Sequence, residues 1–599
     1  INLDLISLII FDFELTVQPV DYTTLMASCS ELRSQWLPAR LEQVYQRDRF
    51  TISLALRTLN KRGWLDISWH PQAARICISD PPPRIPDTFT FSQQLKHQLG
   101  GLALIVIAEV SPWERVLDLQ FAKRPGEKPL WHLYVEVMTK YSNVILTTAD
   151  NLVVTCAHQV NSQQSSVRQI QTGQPYELPP SLTNPIPNLQ ETQQQWQERI
   201  SLIPGSLWRN LIQNYRGLSK ALVQPMIKIA GLDPQQLTNS LNKSDWEKLF
   251  QLWQKWLQGL EKLIFCPSWT STGYTVTGWK GIESVNTVGE LLNRYYTQQL
   301  NQQEFGQLHH QISQKLNSIT AKLQLKADTF TQRLKQSDGA ELLRSQADLL
   351  MANLQEWQPG MKHISLKDFE TQEVVVIKLD PEKNAVQNAQ NFYKKHQKLK
   401  RARRAVEPLF AEVKAEIDYL EHVVAFVSQL DSYRSPEDLQ TLKEIRDELI
   451  QQGYLKTPEH HHQNNKKDTE FYRYQTPSGL ELLVGRNNRQ NDLLTFRVAG
   501  DYDLWFHTQE IPGSHVLLRL DAGTTPDEVD LQFVADLSAF YSRARQSEVV
   551  PVIYTKPKFV YKPKGAKPGM VVYKQEQILW GKPQSAEVHT KQGSTSAEF

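Results

Sequence analysis

Five lysines crowd into Tyr554–Tyr573, at positions 556, 558, 562, 564 and 567, with no acid among them and four aromatics, Tyr554, Phe559, Tyr561 and Tyr573. They alternate with apolar residues and prolines, so a strand–turn–strand here sets positive charge on one face while the aromatics pack or stack. Cations interleaved with aromatics suit a phosphate backbone with unstacked bases. The competing reading is a solvated edge strand whose charges oppose aggregation. A second basic run, seven Lys and Arg between Lys394 and Arg404, is either RNA-contacting surface or a solvated helix face. Signs of bond-making chemistry are missing. There is no Walker A loop, no GxGxxG, no HExxH and no CxxC. Ser514 and His515 are neighbours in sequence, which does not make a catalytic dyad; His515 reads as a phosphate contact or a core member, and Gly513 as a turn. The run His460–His462 has no second ligand group nearby, so no metal is expected, and no cofactor either. The residues point to binding, not to an enzyme.

These residues need elements to position them. Residues 17–180 read as an α+β domain rich in antiparallel strands. Thr23–Val44 is a helix running into a strand meander (FTISLAL, GWLDISWH, ARICISD), FSQQLKHQLGG is a helix stopped by glycines, and LALIVIAEV, RVLDLQF, WHLYVEVM and NVILTTA are four more strands. Residues 181–300 read as helical. Ser219 is an expected N-cap, Gly231 a stop, Pro225 the site of a kink or late start, and Ser244 with Glu247 a capping box. Residues 301–455 carry two apolar seams. One holds Phe305, Leu308, Ile312, Leu316, Ile319, Leu323 and Phe330. The other holds Leu399, Ala402, Val406, Leu409, Val413, Ile417, Leu420, Val424 and Val427, interrupted by Pro408 and a four-residue step at Val413–Ile417, where a kink or stutter is expected. The expectation is antiparallel coiled-coil arms with a small two-stranded insert at about 360–393. SPEDLQTLKEIRDELIQQGYL reads as another capped helix, residues 456–469 as a mobile linker, 470–576 as an α+β module, and 577–599 as a disordered tail.

A chain of 599 residues, 40% hydrophobic and 22% charged, is too long for one core and of ordinary soluble composition. The net charge of +2 says little, because acids elsewhere cancel the basic runs. Cys29, Cys77, Cys156 and Cys266 are far apart, which speaks against a zinc ribbon or a disulfide scaffold and suits a reducing cytosol. No apolar run reaches ~18 residues, so no membrane span is expected. Residues 1–16 are apolar but interrupted by Asp4, Asp12 and Glu14, and lack a basic start and a cleavage site. They read as a non-native or disordered extension ahead of the true start.

GRNNRQND followed by DLWFH and PGSH, then a helix over Val529–Arg545 and a VxYT strand at Val552–Thr555, resembles the RNA-binding module that ends members of the NFACT family of ribosome-quality-control factors. LKHQLGG…VSPWERVLDLQF, LYVEVMTKYSNVIL and RQIQTGQPYELPP resemble that family's first domain, LDP…NAQNFYKKHQKLK resembles the entry to its second arm, and the helical region resembles its helix-hairpin-helix element. The fold class implied is multidomain α+β: a glycosylase-like N-terminal α+β domain, a helix-hairpin-helix domain, antiparallel coiled-coil arms and a C-terminal α+β RNA-binding module. The family carries an Asp-Arg pair implicated in tRNA binding, for which this chain has Glu114-Arg115. Arg115 would fork to a phosphate or a base edge, with Glu114 orienting it or accepting from a cytosine amine; the alternative is a hairpin-end salt bridge. Further RNA contacts are implied at Lys394, Lys395, Lys398, Lys400 and Arg401, at Arg486, Asn487, Asn488 and Arg489, at Trp505, His507, Ser514 and His515, and at Lys562, Lys564 and Lys567. Pro19 invites comparison with the N-terminal proline nucleophile of the related glycosylases, but a proline inside a chain has no free amine, and the zinc finger those enzymes often carry is missing. The resemblance implies a cytoplasmic factor that binds the obstructed large ribosomal subunit with its peptidyl-tRNA and recruits alanyl-tRNA for untemplated C-terminal alanine tails. Two other classes stay open: a DNA lesion-binding or repair protein, and a fibronectin-binding surface adhesin.

Overall fold

The computed structural model describes residues 17–83, 86–180, 183–369, 371–457 and 470–586. The expected extension at 1–16, residues 458–469 of the expected linker with His460–His462, and residues 587–599 of the expected tail lie outside them. The chain divides into two compact units, residues up to Asn301 and residues from Gln302.

The first unit begins with α1 (Tyr22–Trp36), capped by Asp21, whose carboxylate accepts from the Thr24 amide at 2.8 Å. Then come β1 (Ala39–Asp48), β2 (Thr51–Arg57), β3 (Arg62–Ser68), β4 (Arg75–Ser79), α2 (Thr90–Leu99), β5 (Ala103–Glu109), β6 (Val116–Ala122), β7 (Trp131–Glu136), β8 (Asn143–Thr148) and β9 (Val153–Cys156). All nine strands join one antiparallel sheet in the order β4-β3-β2-β1-β5-β6-β7-β8-β9. Apolar residues of α1 and α2, Leu25, Leu32, Trp36, Leu95 and Leu99, share one core with Leu54, Leu65, Leu119 and Leu133 of the strands. The glycine stop after α2 is as expected: the Gly100 amide returns to the Lys96 carbonyl and Gly101 takes φ 79°.

Helices α3 (Gln193–Ser201), α4 (Leu207–Asn214), α5 (Lys220–Ile229) and α6 (Lys243–Glu261) enclose a second core of Trp196, Leu211, Val223, Met226 and Trp253. Ser219 caps α5, and Pro225 sits inside it. The box before α6 is Asn242 with Asp245, not Ser244 with Glu247; both patterns fit the sequence, and asparagine and serine cap about equally well. A three-stranded sheet of β10 (Ser268–Trp269), β11 (Tyr274–Thr275) and β12 (Glu283–Ser284) follows. Strands of two residues carry no readable period, so the expectation of an all-helical stretch missed them. The first turns of α7 (Val288–Ser337) add Leu291, Leu292 and Tyr296 to the core of the large sheet.

In the second unit, α7 from Phe305 onward runs antiparallel to α9 (Ala385–Gln429). Phe305, Leu308, Ile312 and Leu316 cluster with Leu420, Val423, Phe426 and Val427, while Phe330 clusters with Val406 and Val413. At one end His309 lies 3.1 Å from the Val427 carbonyl; at the other Arg403 bonds Asp338 at 2.8 Å. Helix α9 runs on through Pro408, the position where a kink or stutter is expected. Leu409 is exposed instead of seated in the seam, and Phe410 packs there instead. Moving that one position restores alternating steps of four and three from Val406 to Val427. Between the long helices stand α8 (Ala340–Ala352) and the antiparallel pair β13 (His363–Lys367) and β14 (Val374–Lys378). Helix α10 (Pro436–Gln451) opens on a box of Ser435 with Asp438.

The C-terminal module contains β15 (Tyr472–Gln475), β16 (Glu481–Val484), α11 (Asn488–Leu493), β17 (Leu504–Thr508), β18 (Val516–Leu518), α12 (Glu528–Phe540), β19 (Val550–Thr555), β20 (Val560–Tyr561), β21 (Val572–Tyr573) and β22 (Gln577–Gly581). Its six-stranded sheet has the order β15-β16-β18-β17-β19-β22. The expected boundary at 576 is therefore corrected: β22 pairs with β19 from Val550↔Gly581 to Tyr554↔Gln577, and Ala586 joins the core. Ile578 and Trp580 face solvent, which hid the strand among tail residues.

Candidate nucleic-acid interface

Arg115 sits on the short loop between β5 and β6, against the start of α1 and the turn between α4 and α5. Trp113 on that loop takes φ 62°, stacks on Tyr22 with ring centroids 4.5 Å apart, and meets Trp256 edge-on at 5.8 Å. Gly217 (φ 74°) closes the other side; a Cβ there would lie 2.8 Å from the Trp113 ring, so the close approach requires glycine. Asp21 takes a hydrogen bond from the Ser219 hydroxyl, tying the α5 cap to the α1 cap. Within this frame Arg115 Nη1 donates to the Val20 carbonyl at 3.0 Å, and among the described residues the rest of its half-buried fork has no hydrogen-bond partner. Burial pulls its pKa down against the opposing carboxylates of Asp21 and Glu114; an arginine still stays charged. Glu114 does not orient Arg115 through a hydrogen bond. Its carboxylate accepts from Arg216 Nη1 at 3.1 Å, and Arg216 Nε donates to the Asn184 carbonyl. Arg216, in NYRGLS, is thus a second cation of this corner that sequence reading passed over; its signal was its place beside Gly217.

The C-terminal motifs divide between core and surface. Asn487, Asn488, Trp505, His507, Ser514 and His515 are all buried, which corrects their expected role as RNA contacts. Asn487 caps α11 and donates to Glu444 at 2.8 Å; Asn488 donates to Glu448 at 3.1 Å, whose carboxylate also takes the Tyr419 hydroxyl. Glu444 and Glu448 are buried on α10, and buried carboxylates need such partners. The pair of asparagines thus clamps the module to α10. Trp505 donates to Thr495 Oγ1 at 3.0 Å and the Ser514 hydroxyl to the Gly485 carbonyl at 2.7 Å. Arg486 is half-buried with its guanidinium 3.9 Å from the Tyr472 ring centroid.

His507 stacks on His422 of α9 at 6.1 Å and meets His515 edge-on at 5.4 Å. Burial pushes His422 down to about 4 and, helped by the neighbouring His422, pushes His507 down to about 3; His515 also falls well below its usual value through burial. These histidines stay neutral when folded, whereas unfolded ones take up protons below a pKa of about 6.5. Stability should therefore fall as pH drops from about 6.5 toward 4, by ~1.4 kcal/mol per pH unit for each group, and be flat above pH 7. Urea midpoints at pH 7.5 and 5.0 measure this. His422→Phe should flatten the dependence, and an equal slope in that variant would contradict it.

Of the cations expected to contact RNA, Arg489, Lys562 and Lys564 of the module and Lys394, Lys395, Lys398 and Arg401 on α9 face solvent, with Lys400 half-buried. Lys562 pairs with Asp492. Lys567 is half-buried over the Tyr454 and Tyr419 rings and donates to the Tyr454 hydroxyl at 3.0 Å. Arg403, in the same α9 run, bonds Asp338 and Glu407, while His396 is buried. Among the described residues no cluster of His, Cys, Asp and Glu could hold a metal ion, and no helix is long and apolar enough to cross a membrane.

The family model for the NFACT N-terminal and middle domains matches residues 21–469, and that for the NFACT protein RNA binding domain matches residues 470–575. The chain is 29% identical over 577 residues to the Rqc2 homolog RqcH of Bacillus subtilis, covering 93% of this chain and 97% of that protein. To the Rqc2 homolog RqcH of Streptococcus suis it is 29% identical over 563 residues, covering 92% and 95%. Among solved structures, the C-terminal part of the fibronectin/fibrinogen-binding protein of Streptococcus suis is similar with a TM-score of 0.37 and 31% identity, over 48% of this chain and 98% of that one.

Proposed function

The chain belongs to the NFACT family, and on that premise we propose that it is a cytoplasmic ribosome-associated quality control factor. It binds the large ribosomal subunit that still holds an obstructed peptidyl-tRNA and recruits alanyl-tRNA for untemplated C-terminal alanine tailing. What supports this reading most is that both family models run in order across residues 21–575, the second of them RNA-binding. The ribosome's RNA centre makes the peptide bond. This chain supplies position, which can replace much of a reaction's entropic cost. Arg115 engages transfer RNA, the paired helices α7 and α9 span the subunit, and the basic face of α9 together with the module's surface cations holds ribosomal RNA through phosphates. The test is reconstitution with purified large subunits carrying peptidyl-tRNA and with charged alanine tRNA. Alanine should be added only when subunit, alanyl-tRNA and this protein are all present. Extension without the subunit, or failure to sediment with it, would refute the reading.

Two lysines of one loop should behave differently. Lys564 is exposed, so Lys564→Ala should weaken subunit binding and lower the log–log salt slope by about 1. Lys567 is held on Tyr454 and Tyr419, so Lys567→Ala should loosen the module from α9 and leave the slope nearly unchanged. Titrations between 50 and 200 mM salt separate the two, and identical slopes for all three proteins would make Lys564 a solubilising residue only.

A further inference from the structure

Directly after α11 the chain makes one wide turn, Leu494–Val498, in which the Ala499 amide reaches back five residues to the Leu494 carbonyl at 3.0 Å. Turns of this width are rare and recur at functional sites. This one leaves Phe496 and Arg497 in solvent, with Leu493 beside them. A cleft of about 320 Å³ opens there, lined by these residues and by Arg489, Lys562, Glu444 and Asp492. That volume is at the small end of ligand sites, ~300–1,000 Å³, which suits one flat group and excludes a helix or a duplex.

The charges are unequally committed. Asp492 is taken up by Lys562 and by the Gly569 amide at 3.1 Å, and Glu444 by Asn487 at 2.8 Å. Among the described residues, the side chains of Arg489 and Arg497 have neither an ion-pair nor a hydrogen-bond partner. An exposed aromatic ring with unpaired guanidinium forks around it matches a nucleotide: a π-face for the base and forked donors for its phosphate. A lining carboxylate can also accept from a base amino group.

We propose that this cleft seats one unstacked RNA nucleotide, its base on Phe496 and its phosphate between Arg489 and Arg497. Lys562 lies within reach as a third cation once it exchanges Asp492 for the phosphate. The inference rests on the RNA-binding reading of the module and adds the substrate class: single-stranded or bulged RNA, with a duplex excluded.

Fluorescence anisotropy of the full chain with a labelled ten-nucleotide single strand, and with a ten-base-pair RNA duplex as competitor, tests it. Phe496→Ala should weaken single-strand binding about tenfold with an unchanged salt slope, and Phe496→Tyr should restore it. Arg489→Ala with Arg497→Ala should lower the slope by one to two. In Phe496→Trp the indole emission should be quenched on binding. The proposal is overturned if Phe496→Ala binds the strand as the intact chain does, if the duplex competes equally well, or if a glutamate-rich peptide displaces the strand. Should those failures occur while the chain still carries ribosomal RNA from cells, only the cleft assignment falls. A chain carrying no RNA would remove the reading beneath it.

Discussion

Arg115→Ala should strip transfer RNA from the purified protein, on the order of ten- to a hundredfold, the scale of losing one forked arginine contact of ~1–3 kcal/mol, while ribosomal RNA remains bound. The geometry gives the reason. One nitrogen of the fork is spent on the Val20 carbonyl, and the rest projects from a corner in which Asp21, Tyr22, Trp113 and Gly217 hold the backbone in place. Arg115→Lys keeps the charge and loses the fork, so it should recover little. Arg216→Ala removes the partner of Glu114 and should also reduce transfer RNA, by less. Quantifying co-purified transfer RNA beside the thermal midpoint checks this. Undiminished transfer RNA in a folded Arg115→Ala would make the residue a structural tie only.

Trp505→Ala should act on stability. Trp505 is fully buried, bonds Thr495, and packs against His507, His515 and Tyr573 at 5.8, 5.0 and 6.0 Å between centroids. Truncating a buried tryptophan costs ~3–5 kcal/mol, a large part of what holds a domain together. Hydrogen exchange on the full chain should show the amides of β17, β18 and β19 losing protection while those of β1–β9 keep theirs. A variant with full protection and weaker RNA binding would return Trp505 to the surface role expected from its motif.

That contrast shows what was legible. Phe305 to Phe330 and Val406 to Val427 announced two paired helices because side chains that bury together repeat with the helix period; Leu409 misled, one residue away from Phe410, and Ala402, also expected in the seam, is exposed. Strands β2 to β8 were readable from runs such as FTISLAL and RVLDLQF, whereas the helix expected over Thr23–Val44 ends at Trp36 and gives way to β1, and Val153–Cys156, Ser268–Trp269 and Gln577–Gly581 were too short or too exposed to show a period. The motif around Asn487 and Trp505 was recognisable as a family phrase, but a phrase does not say which way side chains point. Asn487 and Asn488 face inward because Glu444 and Glu448 of α10 need donors, and no local pattern links positions forty residues apart.

The central claim, that this chain grips folded RNA at several separate points, is tested most directly by sequencing the RNA that stays with the full-length protein through purification from cells at low salt. The account predicts large-subunit ribosomal RNA together with transfer RNA, and loss of the transfer RNA alone in Arg115→Ala. Protein recovered free of RNA, or bound to DNA instead, would contradict it.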